Sequence, residues 1–332
     1  MTVTKQALGI DVREGGRWTL AQSAKNDLLW LVASSAIATV GRLPPRVVRA
    51  AGGLLGLLAH AALPSARRLA EQNVAIAFPE LDDRARRRLV ARCYRTLGGY
   101  LGEAVLMLDA RHAVDPLAFA AGAREALDAA VAEGRGVVFA SAHLGPWERV
   151  AATLVTSAVP FTAVAREAYD PRLMRLYERL RGARGLPTIY RGAPGAAIAL
   201  VRTLRRGRVL GIPMDLASRV PSVDVPFLGR VARTPVGPAR LALRTGAAVV
   251  VGVPAPAERA GAPDARSPLD LELAITPIRT ADLDASPEAE RTLTARINDV
   301  LSARIRALPQ AWVWMHPRWS FTPAAIPPAL LV

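Results

Sequence analysis

The stretch VVFASAHLGPWERV, residues 137–150, contains the pattern that decides the fold. The apolar run Val137–Ser141 is typical of a buried strand. Pro146 suits the first position of a following helix, because its missing N–H would be unpaired there in any residue. A buried strand that leads directly into a helix is the repeating unit of a parallel α/β sheet, so the sequence predicts an α/β fold with His143 in a turn.

The same alternation of strands and helices continues on both sides of this stretch. Further strands are predicted at 161–165, 188–190, 209–213, 247–253 and 269–276. Helices are predicted at 82–108, 123–133, 146–157, 170–184, 194–206, 235–245 and 287–308. Strands that alternate with helices predict a mostly parallel central sheet flanked by helices. The Pro-, Ala- and Gly-rich segment 254–268 is predicted to be an exposed loop.

Two apolar stretches near the N-terminus, 28–40 and 47–63, are each shorter or more interrupted than the roughly 20 apolar residues of a spanning helix. They predict a helical hairpin that lies on or dips into a membrane. The arginines that border them fit a basic rim beside anionic headgroups: Arg42, Arg46, Arg49, Arg67 and Arg68. Two core helices with solvated ends are the alternative interpretation.

These patterns divide the chain into three parts. Residues 1–26 are polar and lack the features of a signal peptide, so we expect them to be loose. Residues 27–76 are expected to form the membrane-associated helical segment, and residues 77–332 the α/β domain.

Composition limits the class of protein. Hydrophobic residues make up 51% of the 332 positions and charged residues 21%, which excludes an intrinsically disordered chain. The net charge of +15 predicts an anionic partner: a membrane surface, a phospholipid, an acidic carrier protein or a nucleic acid. Aromatic residues make up 5%, and the basic residues border apolar stretches, which argues against a nucleic-acid-binding protein. The single cysteine, Cys93, excludes an intramolecular disulfide.

His143 and Glu148 are the candidate acid–base pair. A carboxylate that accepts one imidazole N–H leaves the other ring nitrogen free to take a proton. No G-x-S-x-G motif surrounds Ser141, and Cys93 lies on a helix with no reason to approach His143. We therefore expect direct attack by a substrate hydroxyl, without a covalent acyl-enzyme. A structural, hydrogen-bonded histidine is the alternative. No metal-ligand spacing and no nucleotide-binding motif accompanies the pair.

The segment HLGPWE resembles the His-x4-Asp/Glu motif of the glycerolipid acyltransferase superfamily. Its surroundings are similar to one branch, the bacterial lipid A late acyltransferases and phosphatidylinositol mannoside acyltransferases. The blocks that carry this resemblance lie in the family's order: SARRLAEQNVAIAFPEL (65–81), the stretches 164–185 and 212–253, and WVWMHPRW (312–319). The chain lacks the Phe-Pro-Glu-Gly block of phosphatidic-acid-forming members, so a plain lysophosphatidate acceptor is disfavoured.

The resemblance implies a glycerolipid-acyltransferase-like fold and an enzyme that moves a fatty acyl chain to a hydroxyl of a membrane glycolipid. The acceptor would be a lipid A precursor or a phosphatidylinositol mannoside, and the donor an acyl carrier protein or coenzyme A thioester, without further cofactor. We expect a monomer at the cytoplasmic face of the cell (inner) membrane. A lysophospholipid acyltransferase and a non-catalytic lipid-binding relative are the alternatives.

The resemblance also assigns roles to single residues. His143 would be the general base and Glu148 the group that orients it. Arg166 and Arg181 match family arginines that contact an oxyanion or a phosphate, and Asp215 would bind acceptor hydroxyls or support the histidine. Arg219, on a Pro-flanked loop, is a further substrate-binding candidate. Solvated surface arginines and a loop-capping aspartate are the alternative interpretations.

Overall fold

The computed structural model describes residues 18–40, 43–108, 112, 115–167, 170–218, 220–257 and 270–319. The helices are α1 (Leu20–Val40), α2 (Pro45–Ala62), α3 (Pro64–Ala77), α4 (Asp83–Leu106), α5 (Ala123–Ala132), α6 (Trp147–Thr156), α7 (Pro171–Gly182), α8 (Ala196–Arg205), α9 (Gly237–Thr245) and α10 (Pro287–Ala307). The strands are β1 (Ala118–Phe119), β2 (Val137–Ser141), β3 (Phe161–Arg166), β4 (Thr188–Arg191), β5 (Val209–Pro213), β6 (Ser222–Phe227), β7 (Arg230–Pro235), β8 (Ala248–Pro256) and β9 (Leu271–Ile278).

Seven strands form the central sheet in the order β1-β9-β8-β2-β5-β3-β4. The five strands from β8 to β4 run parallel, and β9 is antiparallel to β8. The prediction of a mostly parallel sheet flanked by helices is therefore confirmed. In the β2–β5 pair Ser141 lies opposite Pro213, so the loops that follow these two strands leave the sheet at the same edge.

Phenylalanine rings fill the space above glycines in the centre of the sheet. Phe139 on β2 covers Gly252 on β8, and Phe161 on β3 covers Gly211 on β5; a Cβ at either glycine would overlap the ring above it. The two rings meet edge to face, with centroids 5.6 Å apart. This packing fixes the position of β2 in the sheet, and the predicted site lies at the end of β2.

Helix α2 packs closely on α4 through glycines. A Cβ on Gly52 would meet the carbonyl of Gly98, and one on Gly56 would meet the carbonyl of Tyr94. With its glycines turned inward, α2 presents leucines outward, and Leu54 and Leu58 are 59% and 56% exposed. Among the described residues no single helix has the length and composition of a membrane span, whereas α2 and α3 together do, with a bend of 95° between them.

The structure departs from the predicted elements at several points. Helix α1 begins at Leu20, inside the stretch that we expected to be loose. Strand β8 continues to Pro256, into the predicted loop 254–268, because Pro254–Pro256 pair with β9. Residues 64–76 of helix α3 belong to the helical segment expected at 27–76, whereas strand β1 and the hairpin of β6 and β7 were not predicted. Position 269 and most of the predicted loop lie outside the described residues.

Candidate active site

His143 lies in the turn between β2 and α6, at the carboxyl edge of the parallel strands, where ligands bind in open α/β sheets. Two backbone contacts with the C-terminal segment hold the turn in place. Leu144 forms an isolated β-bridge with Trp312, and the N–H of Gly145 donates to the carbonyl of Ala311 at 2.9 Å. Gly145 has a φ of 64°, a conformation that glycine adopts readily. Pro146 precedes α6 rather than opening it.

Asp215 is the hydrogen-bond partner of His143. It follows the end of β5, and its side chain is completely buried. Oδ1 lies 2.9 Å from Nδ1 of His143, while Oδ2 accepts from the backbone N–H of His143 at 2.9 Å and from Nε1 of Trp312 at 2.7 Å. An ionised carboxylate only accepts hydrogen bonds, so this arrangement puts the imidazole proton on Nδ1 and leaves Nε2 with a lone pair.

Charge and burial act in opposite directions on this pair. Burial favours neutral His143, but the charge of Asp215, its hydrogen bond and the charge of Glu148 outweigh that effect and raise the pKa of the imidazole. Burial also opposes ionisation of Asp215, yet the charge of His143 and the three donors lower the pKa of the carboxyl. The geometry therefore stabilises a charged imidazolium beside an ionised aspartate.

Glu148 lies in the first turn of α6, as expected, but its carboxylate engages Arg181 on α7 instead of His143. Oε1 of Glu148 accepts from Nη2 of Arg181 at 2.8 Å, and Oε2 accepts from Nε at 3.4 Å. Among the described residues no hydrogen bond joins Glu148 to His143. The expected orienting contact is thus made by Asp215, because the register of β2 and β5 brings its buried carboxylate beneath the imidazole.

A cavity of about 570 Å³ opens in front of His143. Of the predicted site residues, His143, Glu148, Arg166 and Arg181 line it, and Asp215 lies behind His143 without reaching it. Two tyrosines, Tyr177 and Tyr190, and the indole of Trp147 complete the wall near these residues. A smaller, mostly apolar pocket of about 70 Å³ lies beside it, against Phe139, Phe161 and Gly211. Arg219 lies outside the described residues.

The C-terminal aromatic segment that contacts the histidine turn is itself held by helix α3. Nδ2 of Asn73 on α3 donates to the carbonyls of Trp314 and His316, at 2.8 and 2.7 Å. Neither Asn73 nor Trp312 was among the predicted site residues, although both lie in blocks that carry the family resemblance. Arg318, in the same segment, is completely buried, and its guanidinium lies 4.5 Å from the centre of the Phe227 ring.

Ser141 and Cys93 both donate hydrogen bonds to backbone carbonyls. The hydroxyl of Ser141 donates to the carbonyl of Gly252 at 2.9 Å. Burial raises the pKa of the Cys93 thiol to about 12, and Sγ donates to the carbonyl of Trp312. Within the described ranges no group of three or more His, Cys, Asp or Glu side chains has the geometry of a metal site. The arrangement can take a proton from a hydroxyl that lies in the cavity.

Comparison with known proteins identifies the family of the chain. The family model of the bacterial lipid A biosynthesis acyltransferases matches residues 19–320. The phosphatidylinositol mannoside acyltransferase of Mycobacterium tuberculosis (strain ATCC 25618 / H37Rv) is 35% identical over 132 residues, which cover 39% of this chain and 42% of that protein. The protein of the same name from Mycolicibacterium smegmatis is 29% identical over 224 residues, 67% of this chain and 64% of that protein.

The aligned regions thus span less than two thirds of the length of each of these relatives. The family model, in contrast, extends from the start of α1 to the end of the aromatic segment. The chain belongs to the bacterial lipid A biosynthesis acyltransferase family.

Proposed function

We propose that the protein is an O-acyltransferase that moves a fatty acyl chain from a thioester to a hydroxyl of a membrane glycolipid of the phosphatidylinositol mannoside type. The observation that carries this proposal is the hydrogen-bonded pair of His143 and Asp215 at the mouth of a cavity. The family supports the reaction class, and the names of the mycobacterial relatives favour the mannoside over a lipid A precursor as acceptor.

His143 acts as the general base. Its Nε2 takes the proton of the acceptor hydroxyl as the oxygen forms a bond to the thioester carbonyl carbon. The resulting tetrahedral oxyanion collapses, the C–S bond breaks, and the leaving thiolate takes a proton from the imidazolium. Asp215 keeps the proton on Nδ1 and stabilises the charge that develops on the ring. With Ser141 and Cys93 engaged elsewhere, the transfer is direct.

Arg181 stabilises the oxyanion. Arg181 lies on the cavity wall, and Glu148 holds it there through two hydrogen bonds. A fixed positive charge near the developing oxyanion stabilises the transition state more than the ground state. In this proposal Glu148 is a positioning residue for Arg181 and contributes negative charge near His143.

The donor is an acyl carrier protein or coenzyme A thioester, and no other cofactor takes part. Both donors carry phosphate and approach a protein with a net charge of +15, which favours their association. The cavity of about 570 Å³ is within the usual range for small-molecule sites.

The exposed leucines of α2 form the membrane contact. Leu54, Leu55 and Leu58 project from the face of α2 that is turned away from α4, and Arg46 and Arg68 are exposed near the two ends of this region. Apolar side chains flanked by arginines suit the boundary between acyl chains and anionic headgroups. We place the protein, as a monomer, at the cytoplasmic face of the cell membrane.

Purified protein incubated with membrane lipids and a radiolabelled acyl thioester tests this function. Coenzyme A and acyl carrier protein donors are supplied separately, and the labelled lipid is identified by its mass. The proposal predicts a labelled glycolipid that carries one additional acyl chain. A labelled lysophospholipid-derived product would reassign the acceptor class. The absence of any labelled lipid with both donors, from protein shown to be folded, would contradict the proposed activity.

A further inference from the structure

Helix α1 contributes to the wall of the cavity that contains His143. Asn26 on this helix and Trp18, two residues before its start, both line the cavity. Gln22, Asn26 and Trp30 are four residues apart and half-buried, so they share one face of the helix. We call this the inner face of α1.

Reciprocal hydrogen bonds fix the chain at the start of α1. The backbone N–H of Gln22 donates to Oγ1 of Thr19 at 3.2 Å, and the backbone N–H of Thr19 donates to Oε1 of Gln22 at 2.9 Å. This pair of bonds is a capping box, which begins a helix at a defined residue. Trp18 directly precedes the box, so the box also fixes the backbone that carries its indole.

Arg172 on α7 holds α1 in this position. Its Nη1 donates to Oδ1 of Asp27 at 2.8 Å, and its guanidinium lies 5.7 Å from the centre of the Trp30 ring. The same guanidinium is fixed by Asp170, the N-cap residue of α7, whose Oδ2 accepts from Nη2 at 2.8 Å. One arginine thus joins α1 to a helix that forms another part of the cavity wall.

The opposite face of α1 is apolar and exposed. Leu28, Leu31 and Val32 are 62%, 62% and 51% exposed, and with about 3.6 residues per turn they point away from Asn26. A helix with one apolar and one polar face suits the boundary between acyl chains and headgroups. A lipid acceptor that keeps its acyl chains in the bilayer would therefore extend its headgroup past α1 into the cavity.

Trp18 and Asn26 offer the groups that bind a ring bearing hydroxyls. The amide of Asn26 forms no hydrogen bond with another described residue, so its two N–H donors and its oxygen are available at the cavity. The indole of Trp18 presents an apolar ring and one N–H donor. A sugar packs the C–H groups of its ring against such a surface and forms hydrogen bonds to an amide through its hydroxyls.

We propose that α1 is a substrate-binding element of the active site, in which Trp18 and Asn26 bind a sugar ring of the acceptor headgroup. Arg172 is the positioning residue that keeps both side chains at the cavity. The acceptor site is then complete only while α1 is docked on α7. This inference rests on the proposed acyl transfer to a glycolipid and names the residues that recognise its sugar.

Binding of a water-soluble headgroup tests this contact without the reaction. The probe is glycerophosphoinositol mannoside, and glycerol 3-phosphate, which has the phosphate but no ring, is the reference. Titration calorimetry compares the whole wild-type protein with Trp18→Ala, Trp18→Phe and Asn26→Ala. Ser35→Ala is the control, because Ser35 is an exposed polar residue of α1 outside the cavity.

We expect wild type and Ser35→Ala to bind the probe equally, and Trp18→Ala and Asn26→Ala to bind it at least about tenfold more weakly. Trp18→Phe keeps an aromatic surface and should restore most of the affinity. The reference should not distinguish the proteins. Wild-type affinity in both alanine variants, or no binding of the probe to wild type at up to about 10 mM, would overturn the proposal.

The positioning role of Arg172 has its own test. Asp27→Ala and Arg172→Gln each break the ion pair between α1 and α7, and each should raise KM for the glycolipid about two- to fivefold, with KM for the thioester unchanged. Arg175→Gln is the control, because Arg175 is an exposed residue of α7 that does not line the cavity. Equal KM values for all of these proteins would contradict the role of Arg172.

Kinetics separate failure of this assignment from failure of the proposed activity. Trp18→Ala and Asn26→Ala should raise KM for the glycolipid about tenfold or more and leave KM for the thioester unchanged. A rise in KM for the thioester alone would overturn the assignment to the acceptor. A wild-type protein that binds the headgroup probe through Trp18 and Asn26 but transfers no acyl chain would retain the sugar contact and contradict the acyltransferase.

Discussion

Nδ1 of His143 lies 2.9 Å from Oδ1 of Asp215, a residue 72 positions further along the chain. The other oxygen of the same carboxylate accepts from the backbone N–H of His143 and from the indole of Trp312. One buried acid therefore fixes the position of the histidine backbone, the orientation of its ring and its tautomer. The His-x4-Glu spacing alone does not predict this arrangement.

Replacement of Asp215 by Asn tests the role of this carboxylate. An amide nitrogen at the position of Oδ1 would donate to Nδ1 and shift the imidazole proton to Nε2, the atom that must accept the substrate proton. We expect acyl transfer to fall roughly 10²- to 10⁴-fold. Asp128→Asn, which alters an exposed ion pair on α5, serves as the control for the same chemical change.

Steady-state rates of the two variants, measured beside their thermal unfolding curves, separate catalysis from stability. The Asp128→Asn variant should retain wild-type activity. A folded Asp215→Asn protein with wild-type kcat would refute the assignment of Asp215 as the partner of His143.

The rate of transfer should depend on the ionisation of His143. The base acts in its neutral form, and the charges of Asp215 and Glu148 raise its pKa while burial and Arg191 lower it. Activity should therefore rise with pH through a midpoint above 6.5, the usual value for histidine. Glu148→Gln removes a negative charge, so the acid limb of its pH–rate profile should move to lower pH.

Arg191→Gln removes a positive charge and should move the same limb to higher pH. Profiles of kcat/KM for wild type and both variants check the sign of each shift. Shifts in the same direction, or none in either variant, would exclude His143 as the group that titrates.

The part of this fold that sequence predicts best is the parallel sheet. β2, β3 and β5 are short, mainly apolar runs bounded by turns, and β4 is a short run of β-branched and aromatic residues that ends in Arg191. The sequence does not predict the hairpin of β6 and β7, because prolines flank it. Its turn also contains Leu228, which adopts a φ of 52° that is uncommon for a residue with a side chain.

Local sequence likewise predicts only part of the site. His143 and the helix start at α6 are local features, whereas its contact with Asp215 depends on the register between β2 and β5. One signal did point to this contact: Asp215 directly follows a buried strand, and the ends of neighbouring parallel strands meet at one edge. Trp312 and Asn73 gave no comparable signal, because their contacts depend on how the C-terminal segment folds back.

The contact between α2 and α4 is sensitive to a single methyl group. A Cβ at Gly98 would overlap the carbonyl of Gly52, so Gly98→Ala must separate the helices and should lower the free energy of unfolding by about 1–3 kcal/mol. At the neighbouring Gly99 a Cβ would lie 3.6 Å from the nearest atom, the carbonyl oxygen of Arg49. Gly99→Ala should therefore raise the free energy of unfolding by about 0.5–1 kcal/mol, because alanine has a higher helix propensity than glycine.

Chemical denaturation of the two variants measures whether each change lowers or raises the free energy of unfolding. Equal effects of Gly98→Ala and Gly99→Ala would contradict the close approach of the two helices.

The leucine face of α2 should determine membrane binding. Burial of one leucine side chain contributes about 1.5–3 kcal/mol, so the double variant Leu54→Glu with Leu58→Glu should bind vesicles at least about a hundredfold more weakly. Ala129→Glu with Ala132→Glu adds the same charge at exposed positions of α5 and is the control. Sedimentation with anionic phospholipid vesicles at high salt measures the apolar contribution. Equal binding of both double variants would refute the proposed contact.

The central claim is that His143 takes the proton of the acceptor hydroxyl during acyl transfer. The most direct measurement is single-turnover transfer of a labelled acyl chain from its thioester to purified phosphatidylinositol mannoside, by wild type and by His143→Ala of equal stability. We predict that the variant binds lipid normally and transfers the chain roughly 10²- to 10⁴-fold more slowly. Transfer by folded His143→Ala at the wild-type rate would contradict the mechanism.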